Sequence, residues 1–185
     1  MSNREISAEI LESCRRGDRD AFRALYETYK DRVYALALHF FHGDQAAAQD
    51  MTQQVFLKLM TRISRFEGRS GFSTWLYRLV ANACLDGARR SRSRPQPADR
   101  REIEALVAAP LQETDLERAQ TVGSIQAAVA ALPPKLRLPI LLRYFDGRSY
   151  EEIAAALNCS MGTVASRLNR GHKLLARKLA VLEER

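Results

Sequence analysis

Ser149-Tyr-Glu-Glu-Ile-Ala-Ala-Ala-Leu157-Asn-Cys-Ser-Met-Gly162-Thr-Val-Ala-Ser-Arg-Leu168-Asn-Arg170 is the most informative segment of the sequence. Its apolar positions repeat at helical spacing on both sides of a turn: Ile153, Ala154 and Leu157, then Val164, Leu168, Gly171 and Leu175. Asn158 follows the first helix, and asparagine tolerates the left-handed backbone that such a turn requires. Thr163 is expected to cap the second helix. The pattern predicts a helix-turn-helix, whose second helix fits the major groove of DNA.

Along the outward face of the predicted second helix, small side chains come first and mostly basic ones follow. This face consists of Ala165, Ser166, Arg167, Asn169, Arg170 and Lys173. Gly171 instead falls on the buried stripe, where it costs about 1 kcal/mol relative to alanine, so a close helix contact is expected there. An ordinary helical hairpin with a solvated basic face remains the alternative, because helix-turn-helix patterns are loosely defined.

Length and charge are consistent with a protein that binds a polyanion. The chain has 185 residues and a net charge of +7, enough for one large domain or two small ones. Residues 119–185 carry ten Lys and Arg against five Asp and Glu, and residues 1–90 carry fourteen against eleven. A basic excess in two blocks favours nucleic-acid binding, although it also serves solubility.

Cysteine and histidine patterns predict no metal, redox or catalytic site. Cys14, Cys84 and Cys159 are odd in number and lack CxxC spacing, so neither a disulfide nor a zinc site is expected. His39 and His42 lie three residues apart without an acidic or cysteine partner at ligand spacing. No nucleophile–base pair or phosphate-binding glycine loop is visible, so neither enzyme activity nor a cofactor is expected.

No apolar segment in the sequence has the length of a signal peptide core or a membrane span. We therefore expect no membrane insertion and a cytoplasmic location.

Hydrophobic periodicity predicts an all-α protein of two small helical domains. Helices are expected at 5–16, 18–41, 45–64, 72–90 and 114–131, followed by those of the helix-turn-helix. Tyr26 is expected to face inward, and Met60 to flank the buried stripe of its helix. Prolines and the lack of a period make 92–113 a flexible linker. It joins an N-terminal helical bundle (1–91) to a C-terminal four-helix domain (114–185).

The helix around residues 50–60 carries an apolar side chain on its polar face. Leu57 lies among Asp50, Gln53 and Gln54, opposite the buried stripe. A single exposed leucine is normal in a soluble protein. The same arrangement, an apolar residue ringed by polar groups, is also typical of a protein-binding anchor.

The helix from residue 72 onward combines an aromatic ring with hydrogen-bonding and basic groups. Trp75, Arg78, Asn82, Leu85 and Arg89 share one face. A ring that stacks a base, an amide and an arginine that meets phosphate suit single-stranded nucleic acid. Trp75 as a residue at the edge of the core is the alternative interpretation.

Taken together, these motifs resemble the extracytoplasmic-function (ECF) class of bacterial RNA polymerase sigma factors. Asp50-Met-Thr-Gln-Gln-Val-Phe56 is similar to the family's polymerase-binding helix, and Arg65-Phe-Glu-Gly-Arg-Ser-Gly-Phe-Ser-Thr-Trp-Leu-Tyr-Arg-Leu-Val-Ala-Asn82 to its −10 segment. Leu141-Leu-Arg-Tyr-Phe-Asp-Gly-Arg-Ser-Tyr-Glu-Glu-Ile-Ala154 and Gly162-Thr-Val-Ala-Ser-Arg-Leu168 resemble its −35 domain. The order of the motifs and the linker between them also match.

The resemblance implies a promoter-specificity subunit for a stress or envelope regulon, held under control by an anti-sigma factor. The residues Asp50, Gln53, Gln54 and Leu57 would contact the clamp coiled coil of core RNA polymerase, and the C-terminal domain its flap. The −10 element of promoter DNA would meet Phe66, Arg69, Ser70, Trp75, Arg78, Asn82 and Arg89. The −35 element would meet the outward face of the second helix, from Thr163 to Lys173.

Three departures from the family pattern bear on the −35 preference. The family usually has lysine where this chain has Ala165, glycine where it has Asn158, and His-Arg-Ala-Arg where it has Asn169-Arg170-Gly171-His172. A helix-turn-helix regulator that acts without polymerase is the alternative function. It accounts for residues 130–180 but leaves the exposed Leu57 and the Trp75–Asn82 helix without a role.

Overall fold

The computed structural model describes residues 6–66, 68, 71–93 and 113–183, and every regular element in these ranges is helical. The helices are α1 (Ala8–Arg15), α2 (Arg19–Phe40), α3 (Gln45–Arg62), α4 (Phe72–Ser93), α5 (Glu113–Ala130), α6 (Pro134–Ile140), α7 (Tyr150–Leu157) and α8 (Met161–Glu183). A 3₁₀ turn (Ile63–Arg65) extends α3, and a π-helical segment (Leu141–Phe145) extends α6. The all-α prediction is confirmed. Most of the predicted linker, residues 94–112, lies outside the described residues.

Short polar side chains set the helix starts. Asp18 accepts hydrogen bonds from two amides of the first turn of α2, and Asp44 does the same for one amide of α3. Ser149 and Glu152 form a capping box at α7, each side chain accepting from the other's backbone amide. Ser7 caps α1, so this helix begins three residues later than the periodicity predicted.

In the described parts of the chain, no helix has the length and hydropathy needed to cross a membrane.

The N-terminal bundle, α1–α4, is built around a core that includes Leu25, Leu36 and Leu59, each fully buried. Two inward predictions were wrong. Tyr26 is 42% exposed and packs edge-on against the ring of Phe56, while Met60 is 56% exposed. Both sit at the margin of their helix's apolar stripe, where the neighbouring helix no longer covers them.

The helix-turn-helix is formed by α7 and α8, with Asn158 in the left-handed conformation between them (φ 49°). The predicted cap was wrong by three residues. The Ser160 hydroxyl accepts from the Thr163 amide at 3.2 Å, so Ser160 holds the start of α8 and Thr163 lies within its first turn. Because α8 begins at Met161, Ser160 stands directly before the helix, where its hydroxyl can accept from an amide of the first turn.

The C-terminal helices α5–α8 pack against the N-terminal bundle, chiefly through the contact of α7 with α4. One side of α4 buries Leu76 and Val80 in the bundle core, as predicted. Ser73 and Tyr77 are buried as well, because side chains of the C-terminal unit cover them. The two predicted units are therefore in direct contact.

Gly171 is buried, and the predicted close helix contact is present. A Cβ at this position would lie 3.0 Å from Cγ1 of Ile140 on α6. We expect Gly171→Leu to lower the free energy of unfolding by about 1–3 kcal/mol, because the added side chain displaces Ile140. Leucine favours helix far more than glycine, so any loss has a steric origin.

The matched control is Gly123→Ala on α5, where a Cβ meets nothing within 4 Å. This change is expected to stabilise the chain by about 0.5–1 kcal/mol through helix propensity alone. Urea unfolding followed by circular dichroism measures both variants. A Gly171→Leu chain as stable as the parent would contradict the packing described above.

Candidate nucleic-acid and partner interfaces

A cavity of about 250 Å³ opens where the end of α3 meets α4. It is lined by Arg62, Arg65, Trp75, Arg78, Leu79 and Asn82. Three of the predicted −10 residues, Trp75, Arg78 and Asn82, are therefore brought together. Two predicted partners, Arg69 and Ser70, lie outside the described residues.

Aromatic packing fixes one wall of the cavity. The Trp75 ring centroid lies 5.4 Å from that of Phe66 and 5.9 Å from that of Phe72. Trp75 is half-buried, so it is both an edge residue of the core and a wall of the cavity. A ring held on one side by other rings can offer a rigid platform to a base at little entropic cost.

Sequence reasoning missed Arg62 and Arg65 as members of this site. They follow the buried stripe of α3, one at the end of that helix and the other in the 3₁₀ turn. With Arg78 they bring three guanidinium groups to a cavity that also holds an indole and an amide. Cations beside a stacking ring are what a single nucleic-acid strand requires. The signal available in the sequence was two arginines three residues apart just before a glycine-containing loop.

Arg78 and Arg89 are both exposed but lie in different surroundings. The Arg78 guanidinium donates from Nε and Nη2 to the backbone oxygen of Ala155 in α7, at 3.1 and 3.0 Å. Arg89 pairs with Asp86 on its own helix. It lines a second, larger groove of about 1270 Å³ between the bundle and the start of α6, not the cavity at Trp75.

The recognition face of α8 is exposed as predicted at Ala165, Ser166, Asn169, Arg170 and Lys173, while Thr163 is half-buried. Arg167 is half-buried too, and its Nη1 lies 3.9 Å from Sγ of Cys159 in the turn. The part of the predicted set that points freely outward is thus smaller than the sequence indicated.

The predicted partner face of α3 is present as one surface. Leu57 is 55% exposed, and Gln54 donates to the Asp50 carboxylate at 2.8 Å. Arg90 of α4 donates to the Gln54 side-chain oxygen at 3.3 Å, which ties the two helices together at this surface. Met60 enlarges the apolar part of the surface beside Leu57.

The two histidines near the end of α2 are shifted toward the neutral form. Burial lowers the pKa of His39, whose ring centroid lies 4.4 Å from that of Phe145. Burial, and secondly the charge of Arg137, lowers the pKa of His42 to about 4. No group of three or more His, Cys, Asp or Glu that could hold a metal exists among the residues that the structure describes.

A cavity lined by an indole, an amide and arginines, a helix-turn-helix, and an exposed leucine among polar residues on α3 are the features expected of a DNA-binding protein that also binds a protein partner. Residues 25–94 match the family description "Sigma-70 region 2", and residues 123–175 match "Sigma-70, region 4". The chain is 31% identical to the RNA polymerase sigma-H factor of Pseudomonas aeruginosa, with 98% of each chain covered. It is 31% identical to the ECF sigma-E factor of Escherichia coli K12, with 100% of each covered.

Solved structures show the same fold. The complex of the sigma factor RpoE with the anti-sigma factor NepR from Bartonella quintana matches with a TM-score of 0.65 and 26% identity, covering 86% of this chain and 97% of that one. CnrH in complex with the cytosolic domain of CnrY matches with a TM-score of 0.67 at 20% identity, covering 94% and 96%. This chain belongs to the ECF class of RNA polymerase sigma factors.

Arg170 gives a test of the recognition face of α8. We expect Arg170→Ala to weaken binding to the chain's −35 duplex and to reduce the slope of log K against log salt by about 0.9, the value for one lost phosphate contact. Lys178→Ala, with the same loss of charge on an exposed part of the same helix, is the control. Fluorescence anisotropy across a salt series measures both variants. Equal slopes for the two variants would remove Arg170 from the interface.

Proposed function

We propose that this chain is a promoter-specificity subunit that binds core RNA polymerase, recognises −35 and −10 elements, and initiates transcription without catalysis of its own. Family membership supports this function. The observation that carries it is the cavity on α4, where Trp75, Arg78 and Asn82 meet two further arginines. A regulator that binds only duplex DNA has no use for such a cavity.

The cavity on α4 is our candidate for the −10 element in its melted form. Trp75 would stack a base, Asn82 would hydrogen-bond to a base edge, and the arginines would meet phosphate. Moving a base out of the duplex stack costs a few kcal/mol, and a shaped cavity recovers this cost only for the base that fits it. We add Arg62 and Arg65 to the predicted set and place Phe66 behind Trp75, as its support.

The exposed face of α8 is our candidate for the −35 element. Ala165, Ser166, Asn169, Arg170 and Lys173 are available to a major groove without rearrangement. Arg167 would reach the groove only after leaving its contact with Cys159. Base edges would meet the first residues of the helix and phosphates the basic ones, as in other helix-turn-helix proteins.

The surface of α3 around Leu57 is our candidate for the polymerase clamp coiled coil, with the flap meeting the C-terminal unit. Asp50, Gln53 and Gln54 surround an apolar anchor, which is the composition of a binding hot spot and its rim. We assign residues 1–91 to polymerase and −10 binding, 92–113 to the linker, and 114–185 to −35 binding.

We also propose control by an anti-sigma factor and a cytoplasmic location. The solved relative RpoE is bound to the anti-sigma factor NepR, and it matches 86% of this chain. Exposed apolar side chains on both units, such as Leu57, Tyr144 and Phe145, are available to such a partner. Polymerase and promoter DNA are cytoplasmic in bacteria, which supports the location.

A helix-turn-helix regulator that works without polymerase is the competing function. It leaves unexplained why Leu57 is 55% exposed among polar residues and why α4 carries its cavity. Pull-down with purified core polymerase separates the two functions. Normal duplex binding without any polymerase binding would favour the regulator.

Asn82 tests the −10 assignment. We expect Asn82→Ala to weaken binding of a single-stranded −10 oligonucleotide by about 1–3 kcal/mol, because one base edge loses its hydrogen-bond partner. Quenching of Trp75, the one tryptophan in the sequence, measures the binding. Run-off transcription should fall, while core-polymerase binding is retained. Equal loss of polymerase binding would show that Asn82 does not act through the −10 element.

Leu57 tests the polymerase assignment with a change that should weaken polymerase binding and leave DNA binding unchanged. We expect Leu57→Ala to weaken core-polymerase binding by about 2 kcal/mol, the cost of truncating an interface anchor. Since the side chain is 55% exposed, the unfolding free energy should be nearly unchanged. Binding of single-stranded −10 DNA should match the parent chain. Unaltered polymerase affinity would place the clamp contact elsewhere on the chain.

A further inference from the structure

One buried carboxylate joins the two halves of the chain, the N-terminal bundle (α1–α4) and the C-terminal unit (α5–α8). Asp146 follows the π-helical segment, and its side chain is 1% exposed. One carboxylate oxygen accepts from Arg32 Nε of α2 and, at 2.8 Å, from the Tyr77 hydroxyl of α4. The other oxygen accepts from Arg148 Nε at 2.6 Å. Burial, and secondly the charge of Asp146, raises the pKa of Tyr77, so its hydroxyl stays protonated and continues to donate.

Three arginines, Arg148, Arg137 and Arg78, make further contacts between the halves. Arg148 donates to the Ser73 hydroxyl at 3.2 Å, and its Cζ lies 4.2 Å from the Tyr77 ring centroid. Arg137 donates to the backbone oxygen of Phe40, at the end of α2, at 2.6 Å. Arg78 donates to the backbone oxygen of Ala155 near the end of α7, which also accepts from the Asn158 amide at 3.4 Å.

We propose that this chain holds itself closed through Asp146, and that the closed form competes with single-stranded DNA for Arg78. The second half of the proposal rests on the function proposed above for the cavity on α4. Arg78 lines that cavity and at the same time donates both Nε and Nη2 to Ala155. The same edge of one guanidinium group cannot also meet a phosphate or a base, so DNA bound through that edge must break the contact with α7.

Promoter geometry also requires the closed form to open. Elements centred near −35 and −10 are about 25 base pairs apart, which is about 85 Å at 3.4 Å per base pair. A compact chain of this length has a radius of gyration of about 16 Å. In the closed form α4 contacts α7, which leads directly into α8. The two DNA-binding faces therefore cannot reach both elements until the halves separate.

The Asp146 cluster, formed with Arg32, Tyr77 and Arg148, is called the latch below, and its chemistry suits reversible closure. A buried carboxylate held by two guanidinium groups and a hydroxyl is satisfied, but its net stabilisation is small because each group is well hydrated once released. Removing only one partner is costly, since it leaves charge buried. The Asp146 cluster thus favours a state that is either fully closed or open.

The test is Arg32→Ala compared with Arg23→Ala. Both changes remove one positive charge from α2, but Arg23 is exposed and Arg32 donates to Asp146 from Nε and Nη2. Loss of charge alone weakens DNA binding. We expect Arg32→Ala instead to bind a labelled single-stranded oligonucleotide about three- to tenfold more tightly, because the open fraction rises. Arg23→Ala should bind equally or more weakly than the parent.

Small-angle scattering of the free full-length chain gives the second readout. We expect the radius of gyration to increase in Arg32→Ala and to stay near about 16 Å in Arg23→Ala. Tyr77→Phe, which removes one donor without changing charge, should shift both readouts in the direction of Arg32→Ala. It also serves if Arg32→Ala fails to fold.

The outcomes separate the latch from the DNA assignment. Identical scattering for Arg32→Ala, Tyr77→Phe and Arg23→Ala would overturn the latch, whatever the DNA result. Expanded variants that bind DNA no more tightly than Arg23→Ala would overturn the competition for Arg78. Expanded variants in a chain that binds no single-stranded DNA at all would support the latch and overturn the −10 assignment.

Discussion

The contacts between the two halves depend on a carboxylate that must not be buried alone. Asp146 is almost fully enclosed, and burial of an unpaired carboxylate costs several kcal/mol. Arg148 moves with Asp146 in the C-terminal unit, but Arg32 and Tyr77 belong to the bundle. In the C-terminal unit alone, Asp146 would keep Arg148 as a donor, and water would have to replace Arg32 and Tyr77. Packing against α2 and α4 supplies these two donors.

Because Tyr77 of α4 is one of the donors to Asp146, α4 contacts both the bundle and the C-terminal unit. One side of this helix forms the core of the bundle, and Ser73 and Tyr77 on another side meet the C-terminal unit. The remaining strip, from Trp75 to Asn82, is the candidate nucleic-acid surface. Arg78 lies at the boundary between the last two surfaces, so under the two proposals this one side chain would link domain closure to DNA binding. The polymerase-binding candidate on α3 has no such link, because Leu57 is exposed in the closed form.

Local chemistry made much of the fold predictable, and tertiary contacts account for what was not. The left-handed turn at Asn158 and the glycine contact at Gly171 follow from properties of those residues and were predicted. The cap at Ser160 was missed because Ser160 and Thr163, three positions apart, are both residue types that cap helices. Arg62 and Arg65 escaped notice because their role appears only where α3 meets α4. Arg32 and Asp146 are 114 positions apart in the sequence, and no spacing rule connects residues so far apart.

The recognition face of α8 shows how a local contact narrows specificity. Arg167 lies near Cys159 in the turn, so the side chains that we propose for base edges are those of Ser166 and Asn169, while Arg170 and Lys173 would meet phosphates. Ala165 offers only a methyl group, which can contact the methyl of thymine but donates no hydrogen bond. The amide of Asn169 can discriminate adenine at one position. We therefore expect modest affinity for the −35 element alone, and under the proposed function stable promoter binding also depends on the cavity on α4. Under both proposals the chain gains most from opening, because neither candidate DNA-binding face would be sufficient by itself.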